Sequence, residues 1–151
     1  MPERAPDFVY VIYIAASVEK VWNGLIDHHL TRQYWEHDNV STWKKGSRWE
    51  HVRSDGSGKV DVAGKVVEIE PPRRMVITWA EGGNAGDEAK TSRVTFDLTA
   101  VGPDTKLTVT HSDLEAGSEM FIGITSGWPA VLSNLKTLLE TGQTLSDKLW
   151  R

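Results

Sequence analysis

The fold is decided by the stretch SGWPAVLSNLKTLLETG, residues 126–142, near the C-terminal end of the sequence. Its apolar residues recur at steps of three and one, which is the stripe of an amphipathic helix and not the alternation of a strand. The stripe consists of Trp128, Val131, Leu132, Leu135, Leu138 and Leu139. A broad apolar face of this kind has to cover another layer of structure, and the preceding sequence predicts which layer that is.

The upstream sequence predicts an antiparallel sheet. Period-two alternation or a β-branched composition marks the strands, predicted at residues 8–15, 48–53, 59–70, 73–80, 92–101 and 105–112. Two short helices are predicted after the first strand, at residues 18–26 with Ser17 as N-cap and at residues 30–35. Since alternating strands leave one sheet face wet, we expect the long C-terminal helix to cover the other face.

These elements predict an α+β fold, in which a curved antiparallel sheet of about six or seven strands wraps around a long C-terminal helix. At 151 residues we expect one domain spanning 1–151, with a core at about 8–142 and a C-terminal tail at 143–151. Gly64 is expected to mark a bulge in the strand that contains it.

Several segments, in order along the chain, resemble one family. They resemble the C-terminal-domain family of the heat-shock protein 90 ATPase activator over about residues 8–142, in the segments VEKVWNGLID (18–27), WKKGSRWE (43–50), VEIEPPRRMVITW (67–79), SRVTFDL (92–98), TKLTVTHSDL (105–114) and GWPAVLSNLKTLLE (127–140). That family belongs to the START-like (SRPBCC) helix-grip superfamily. The resemblance therefore implies the same architecture that the periodicity predicts.

The resemblance implies less about function. The superfamily includes lipid carriers, hormone receptors, polyketide aromatases and cyclases, and bacterial members without an assigned activity, so the fold does not decide among them. The eukaryotic activator carries a separate N-terminal domain that binds the chaperone. This sequence has no room for such a domain, so we do not expect a chaperone partner, while a homodimer stays open.

Composition excludes several classes of function. The net charge of −4 argues against a nucleic-acid partner, and the lack of cysteine excludes thiolate catalysis and Cys-type zinc sites. No stretch reaches the ~18 apolar residues of a membrane span, and MPERAPDF at the N-terminus has no secretory pattern, so we expect a cytoplasmic protein. The five histidines lack metal-binding spacing and the glycine-rich turns lack phosphate-loop spacing, so no metal or cofactor is predicted.

The inward faces of the predicted strands place aromatic and imidazole side chains under the helix. We predict that they line a largely apolar, ligand-binding cavity formed by Trp49, His51, Trp79, Phe96, Val109, His111, Phe121, Ile124 and Trp128. Plain core packing is the alternative for each tryptophan, and hydrogen-bonded structure is the alternative for each histidine. The other three histidines, His28, His29 and His37, are expected in solvent on the short helices and the loop after them.

The helix itself is predicted to have two unlike halves. Pro129 removes a backbone donor and is expected to kink the helix or to start a new segment, while Gly123 and Gly127 loosen the same region. We therefore expect EMFIGITSGW (residues 119–128) to be mobile over one end of the cavity.

The function favoured by these patterns is binding of a small, largely hydrophobic molecule without a cofactor. One alternative is a cavity enzyme of cyclase, dehydratase or hydrolase type, although no pair of carboxylates for general acid and base catalysis can be placed. The other alternative is a co-chaperone-like protein-interaction module, which would expose a large apolar patch.

Overall fold

The structure, a computed structural model, describes residues 3–150, and its centre is one antiparallel sheet of seven strands in the order β1-β7-β6-β5-β4-β3-β2. The strands are β1 Phe8–Ile14, β2 His37–Ser41, β3 Arg48–Arg53, β4 Val60–Glu70, β5 Arg74–Glu81, β6 Ser92–Val101 and β7 Asp104–Ser112. The helices are α1 Val18–Ile26, α2 His28–Trp35 and α3 Glu119–Thr141, with short 3-10 helices at Gly82–Asn84, Glu88–Lys90 and Asp147–Trp150. The predicted helix-grip architecture is confirmed.

Two elements differ from the prediction. β2 is not among the predicted strands, and His37 is expected in a loop, but HDNVS becomes a strand by pairing with β3, from His37 opposite Arg53 to Ser41 opposite Trp49. α2 begins at His28, two residues earlier than predicted, because the Asp27 carboxylate accepts the His29 backbone N–H at 2.8 Å. Ser17 caps α1 as predicted, by accepting the Lys20 N–H at 3.2 Å.

α3 runs unbroken through Pro129, so the proline starts no new segment. Proline cannot donate to the carbonyl of Thr125, and the helix continues with one backbone hydrogen bond fewer. The Ser118 hydroxyl accepts the Phe121 N–H at 3.1 Å at the N-terminal end, and Gly142 closes the other end in the left-handed region at φ 80°.

β4 and β5 approach each other closely at Gly64. A Cβ on Gly64 would lie 2.0 Å from the carbonyl oxygen of Thr78, so only glycine fits this close approach. The register shift between β4 and β5 lies between Val66 and Glu68, which places the bulge just beyond Gly64 rather than at it.

The core lies between the concave face of the sheet and α3. Most of the predicted helix stripe is buried, namely Trp128, Val131, Leu132, Leu135 and Leu138. The core also extends beyond the predicted limits of 8–142, because Ala5 is buried and Trp150 packs against it. None of the helices in residues 3–150 is long and apolar enough to cross a membrane.

Candidate functional site

The predicted cavity residues converge beneath α3. Eight of the nine are buried, and Phe121 is half-buried. They come from β3 (Trp49, His51), β5 (Trp79), β6 (Phe96), β7 (Val109, His111) and α3 (Phe121, Ile124, Trp128). The alternation of the strands therefore predicted the concave face correctly, while the binding of a ligand to these side chains stays a prediction.

The rings fill much of the space between the sheet and α3. Trp79 is central, with its ring centroid 5.5 Å from Trp49, 5.6 Å from His111 and 5.4 Å from Trp128. We call the connected set the aromatic cluster: Trp35, Trp49, Trp79, Phe96, Trp128, His51 and His111. Because the rings are in contact, a ligand entering here has to displace a ring or part of α3.

Trp35 is the cluster member that the sequence did not predict. Its ring lies 4.7 Å from His51 and 5.4 Å from Trp128, so it joins α2 to both β3 and α3. Thr31, Tyr34 and Trp35 stand at helical spacing of three and four, and the first two are fully buried. This spacing is visible in the sequence, and it could have predicted that Trp35 lies on the buried face of α2.

The hydrogen bonds of His111 fix its tautomer. The Trp128 indole N–H can only donate, and it points at His111 Nδ1 at 3.1 Å, so Nδ1 must accept. The proton then sits on Nε2, which donates to Ser92 Oγ at 2.7 Å, and the Ser92 hydroxyl donates to the carbonyl of Trp79 at 2.8 Å. Ser92, which the sequence did not single out, completes a closed chain from α3 to β5.

This chain is unsuited to nucleophilic catalysis. A serine is activated by a histidine that accepts its proton, whereas His111 donates to Ser92. Burial lowers the pKa of His111 to about 4, so the imidazole is neutral near pH 7. A perturbed pKa of the kind that a cavity enzyme would need is therefore present, but its cause is burial, and both ring nitrogens are engaged in structural hydrogen bonds.

His51 is bonded on one side only. Its Nδ1 lies 2.5 Å from Asn39 Oδ1, an oxygen that can only accept, so Nδ1 carries the proton. Burial first, and then the nearby charge of His37, hold the pKa of His51 well below its usual range, against an opposing effect of Asp61. The neutral ring leaves Nε2 as an acceptor without a hydrogen-bond partner among residues 3–150. Since no fully buried side-chain nitrogen in that part of the chain lacks a partner, Nε2 is in contact with solvent.

His37 is not in solvent, contrary to the prediction. It is half-buried on β2, and its ring stacks on His51 with centroids 3.9 Å apart. Its Nδ1 lies 2.9 Å from the carbonyl oxygen of Trp35 and its Nε2 lies 2.8 Å from an Asp61 carboxylate oxygen. The reason is the unpredicted strand, because pairing of β2 with β3 places these two imidazoles on neighbouring strands. His28 and His29 are exposed, as predicted.

A surface cleft of about 280 Å³ opens beside the cluster, and we call it the mouth cleft. Ser92, Leu114 and Met120 lie in its lining, together with polar side chains that include Arg4 and Lys90. None of the nine predicted cavity residues lines it. It nevertheless meets the cluster at Ser92, whose hydroxyl contacts both His111 and, at 3.3 Å, the sulfur of Met120.

No group of three or more metal-ligating side chains is found in the described part of the chain. The site is an aromatic cluster with two neutral imidazoles, one saturated by hydrogen bonds and one with a spare acceptor, and a cleft at the start of α3 lies beside it.

The structure is similar to solved structures of known proteins. It matches the solution structure of the Aha1 dimer from Colwellia psychrerythraea at 25% identity and a TM-score of 0.73, over 91% of this chain and 98% of that chain. It matches protein MLL2253 from Mesorhizobium loti at 27% identity and a TM-score of 0.73, over 89% and 96% of the two chains. An HSP90 activator from Plasmodium falciparum is similar in fold, at 22% identity, a TM-score of 0.73 and coverage of 89% and 96%.

Curated proteins provide no match to this sequence. The family model described as "Activator of Hsp90 ATPase homolog 1-like protein" matches residues 15–140, which is most of the chain. The resemblance that the strand and helix motifs indicated is thus confirmed, and the chain belongs to the activator of Hsp90 ATPase homolog 1-like family.

Proposed function

We propose that this protein binds a small, largely hydrophobic aromatic molecule between its sheet and the first half of α3. The observation that carries the proposal is the continuity between the mouth cleft and the aromatic cluster. Ser92 lines the cleft, and its hydroxyl contacts both His111 of the cluster and the sulfur of Met120. Methionine is flexible and adaptable, so it suits a residue that must move aside for a ligand.

The wall above this entrance is weakly held. Of residues 119–128 in α3, only Ile124 and Trp128 are buried. Gly123 and Gly127 lie in the same segment, and a Cβ at either position would meet no atom within 4 Å. Packing does not require these glycines, and they weaken the helix, so the segment can open at low free-energy cost.

The polar groups of the cluster favour one class of ligand. Trp49 donates to the carbonyl of Thr78 at 2.8 Å and His111 is fully bonded, so neither is free for a ligand. The spare acceptor is His51 Nε2, which suits a hydroxyl donor such as a phenol. The two imidazoles of the cluster, His51 and His111, are neutral and give a buried carboxylate no counter-charge, so we propose a phenolic ligand rather than a fatty acid.

The test is a titration of tryptophan emission with flavonoids, polyketide-like phenols and fatty acids. We expect the phenols to quench the emission with micromolar dissociation constants, roughly −8 kcal/mol, and to raise the melting temperature. The proposal is wrong if no phenol binds, or if fatty acids bind more tightly than every phenol.

A matched ligand pair tests the role of His51. 2-Naphthol should bind roughly tenfold more tightly than 2-methoxynaphthalene, because only the first can donate a hydrogen bond, worth about 1–1.5 kcal/mol. His51→Phe should remove this difference, and His28→Phe at an exposed histidine should preserve it. Trp49 and His111 are unsuitable sites for this experiment, because both are fully buried and hydrogen-bonded.

A second proposal concerns assembly. The Colwellia psychrerythraea protein, at 25% identity, is described as a dimer. We propose that this protein also forms a homodimer, and the dimer would leave the ligand proposal unchanged. An action on the Hsp90 chaperone, which the family description and the Plasmodium falciparum protein name, stays an alternative, and a cytoplasmic location remains a prediction.

A further inference from the structure

The two edges of the sheet are very different. β2, at one edge, is covered by α2: the Thr31 hydroxyl accepts the outward-facing N–H of Asn39 at 3.0 Å, and Arg32 forms an ion pair with Asp38. β1, at the other edge, pairs with no strand but β7 within the described residues 3–150. Its seven residues, FVYVIYI, contain no charge, proline or glycine, which are the usual devices against edge-to-edge pairing.

The open side of β1 carries unpaired backbone groups. Lys136 Nζ donates to the carbonyl of Tyr13 at 2.7 Å, and the Ala15 N–H donates to Glu140 at 2.7 Å, so odd-numbered residues direct their backbone groups away from β7. α3 thus covers the C-terminal end of this edge. The outward groups of Val9 and Val11 and the N–H of Tyr13 have no partner within residues 3–150.

The side chains of these same residues are apolar and exposed. Val9, Val11 and Tyr13 alternate along β1 on its outward face and are 56%, 44% and 54% exposed. Backbone N–H and C=O groups without partners, beside an exposed apolar row, form a sheet edge to which another strand can be added.

We propose that this protein dimerises through β1, with the β1 strands of two copies antiparallel about a two-fold axis at Val11. Val11 then faces Val11 of the second copy, and Val9 faces Tyr13 of the second copy. The Val11 pair exchanges two hydrogen bonds, and each Val9–Tyr13 pair forms one, from the Tyr13 N–H to the Val9 carbonyl, because Lys136 already holds the Tyr13 carbonyl. This gives about four hydrogen bonds in all, and the apolar rows form one continuous strip. A second copy is the occupant that the strand fits best, because its open segment is self-complementary in both backbone pattern and side chains.

This inference rests on the proposed homodimer and names its surface. Sedimentation velocity over a micromolar concentration series should show a dimer for the wild type. Val11→Lys should raise the dissociation constant at least about tenfold, because two ammonium groups would face each other across the axis. Val40→Lys is the matched control, since Val40 is 46% exposed on the covered edge strand, and it should dimerise as the wild type does.

A covalent test fixes the register. The chain contains no cysteine, so Val11→Cys introduces one thiol, and a mild thiol oxidant such as oxidised glutathione should convert the dimer to a disulfide-linked species on a non-reducing gel. Facing residues in such a pair lie ~5.5 Å apart at Cα, within disulfide range, whereas Val9→Cys would place its thiols more than ~10 Å apart. Val9→Cys should therefore remain largely unlinked.

The surface assignment is overturned by a monomeric wild type, by a dimer that survives Val11→Lys, or by faster cross-linking at Val9 than at Val11. Circular dichroism of Val11→Lys checks that loss of the dimer is not loss of the fold. Binding of 2-naphthol by the folded Val11→Lys monomer separates this failure from failure of the ligand proposal, because the two surfaces share no residue.

Discussion

The two halves of α3 are one continuous helix but are held in different ways. Residues 129–141 bury Val131, Leu132, Asn134, Leu135 and Leu138, whereas residues 119–128 bury only Ile124 and Trp128. The second half is also tied by Asn134 to the carbonyl of Tyr34 at 2.9 Å and by Lys136 to β1. The second half is thus held at more points than the first, within a single element of secondary structure.

Leu135→Ala tests the second half of α3, residues 129–141, and should have the largest effect on the free energy of unfolding. Leu135 is fully buried in the contact between α3 and the core, so its truncation leaves a cavity and should cost roughly 2–5 kcal/mol in urea unfolding. Ile122→Ala is the matched change in the other half. Ile122 is 62% exposed, so its cost should stay within about 0.5 kcal/mol. Equal costs at the two positions would remove the distinction between the halves.

Acidification tests the contact beneath the first half. His111 is neutral in the folded protein with a pKa of about 4, whereas an unfolded histidine titrates near 6.5. The unfolded state therefore binds the proton first, and stability that is present above pH 6.5 is lost as the pH falls toward 4. From His111 alone we expect a loss of about 2 kcal/mol between pH 7 and pH 5 in urea unfolding.

The control for the acid effect is His111→Gln, which removes the titrating group. The variant should lose less stability than the wild type over the same pH range, and the remainder should include the effect of His51, whose pKa is lowered in the same direction. An identical pH dependence in both proteins would show that His111 does not titrate as proposed.

Gly127→Ala should change stability less than Leu135→Ala or acidification does, and in the opposite direction. No atom lies within 4 Å of a Cβ at this position, so the substitution fits and should raise stability by up to about 1 kcal/mol. The firmer helix should also slow the entry of 2-naphthol in stopped-flow fluorescence. Gly24→Ala is the contrasting helical glycine, because its Cβ would lie 2.9 Å from Leu135 and should destabilise the protein. Faster ligand entry in Gly127→Ala would contradict the proposal that the first half of α3 has to open for the ligand.

Most of the fold could be predicted because periodicity reports burial directly. The strands β6 and β3 were predicted at their observed bounds, and the stripe from Trp128 to Leu138 identified the face of α3 that covers the sheet. β2 could not be predicted in this way, since HDNVS becomes a strand only by pairing with β3, and pairing partners leave no periodic pattern.

The site was predicted as a set of inward-facing residues and not as a network. Alternation placed His51 and His111 on the concave face. Their tautomers differ because their hydrogen-bond partners differ, and those partners, Asn39, Ser92 and the Trp128 indole, come from other elements. Trp35 and His37 were missed because the orientation of α2 and the existence of β2 decide where they lie. Side-chain partners distant in sequence are set by tertiary packing, which one sequence does not display.

The hydrogen bond from the Trp128 indole to His111 also has a consequence for observing the molecule. This N–H lies at the end of the loosened half of α3 and is buried and bonded when the helix is closed. It can exchange with deuterated solvent only when that half lifts away from the sheet. The exchange rate of one indole proton therefore measures how often the protein opens, with no ligand present.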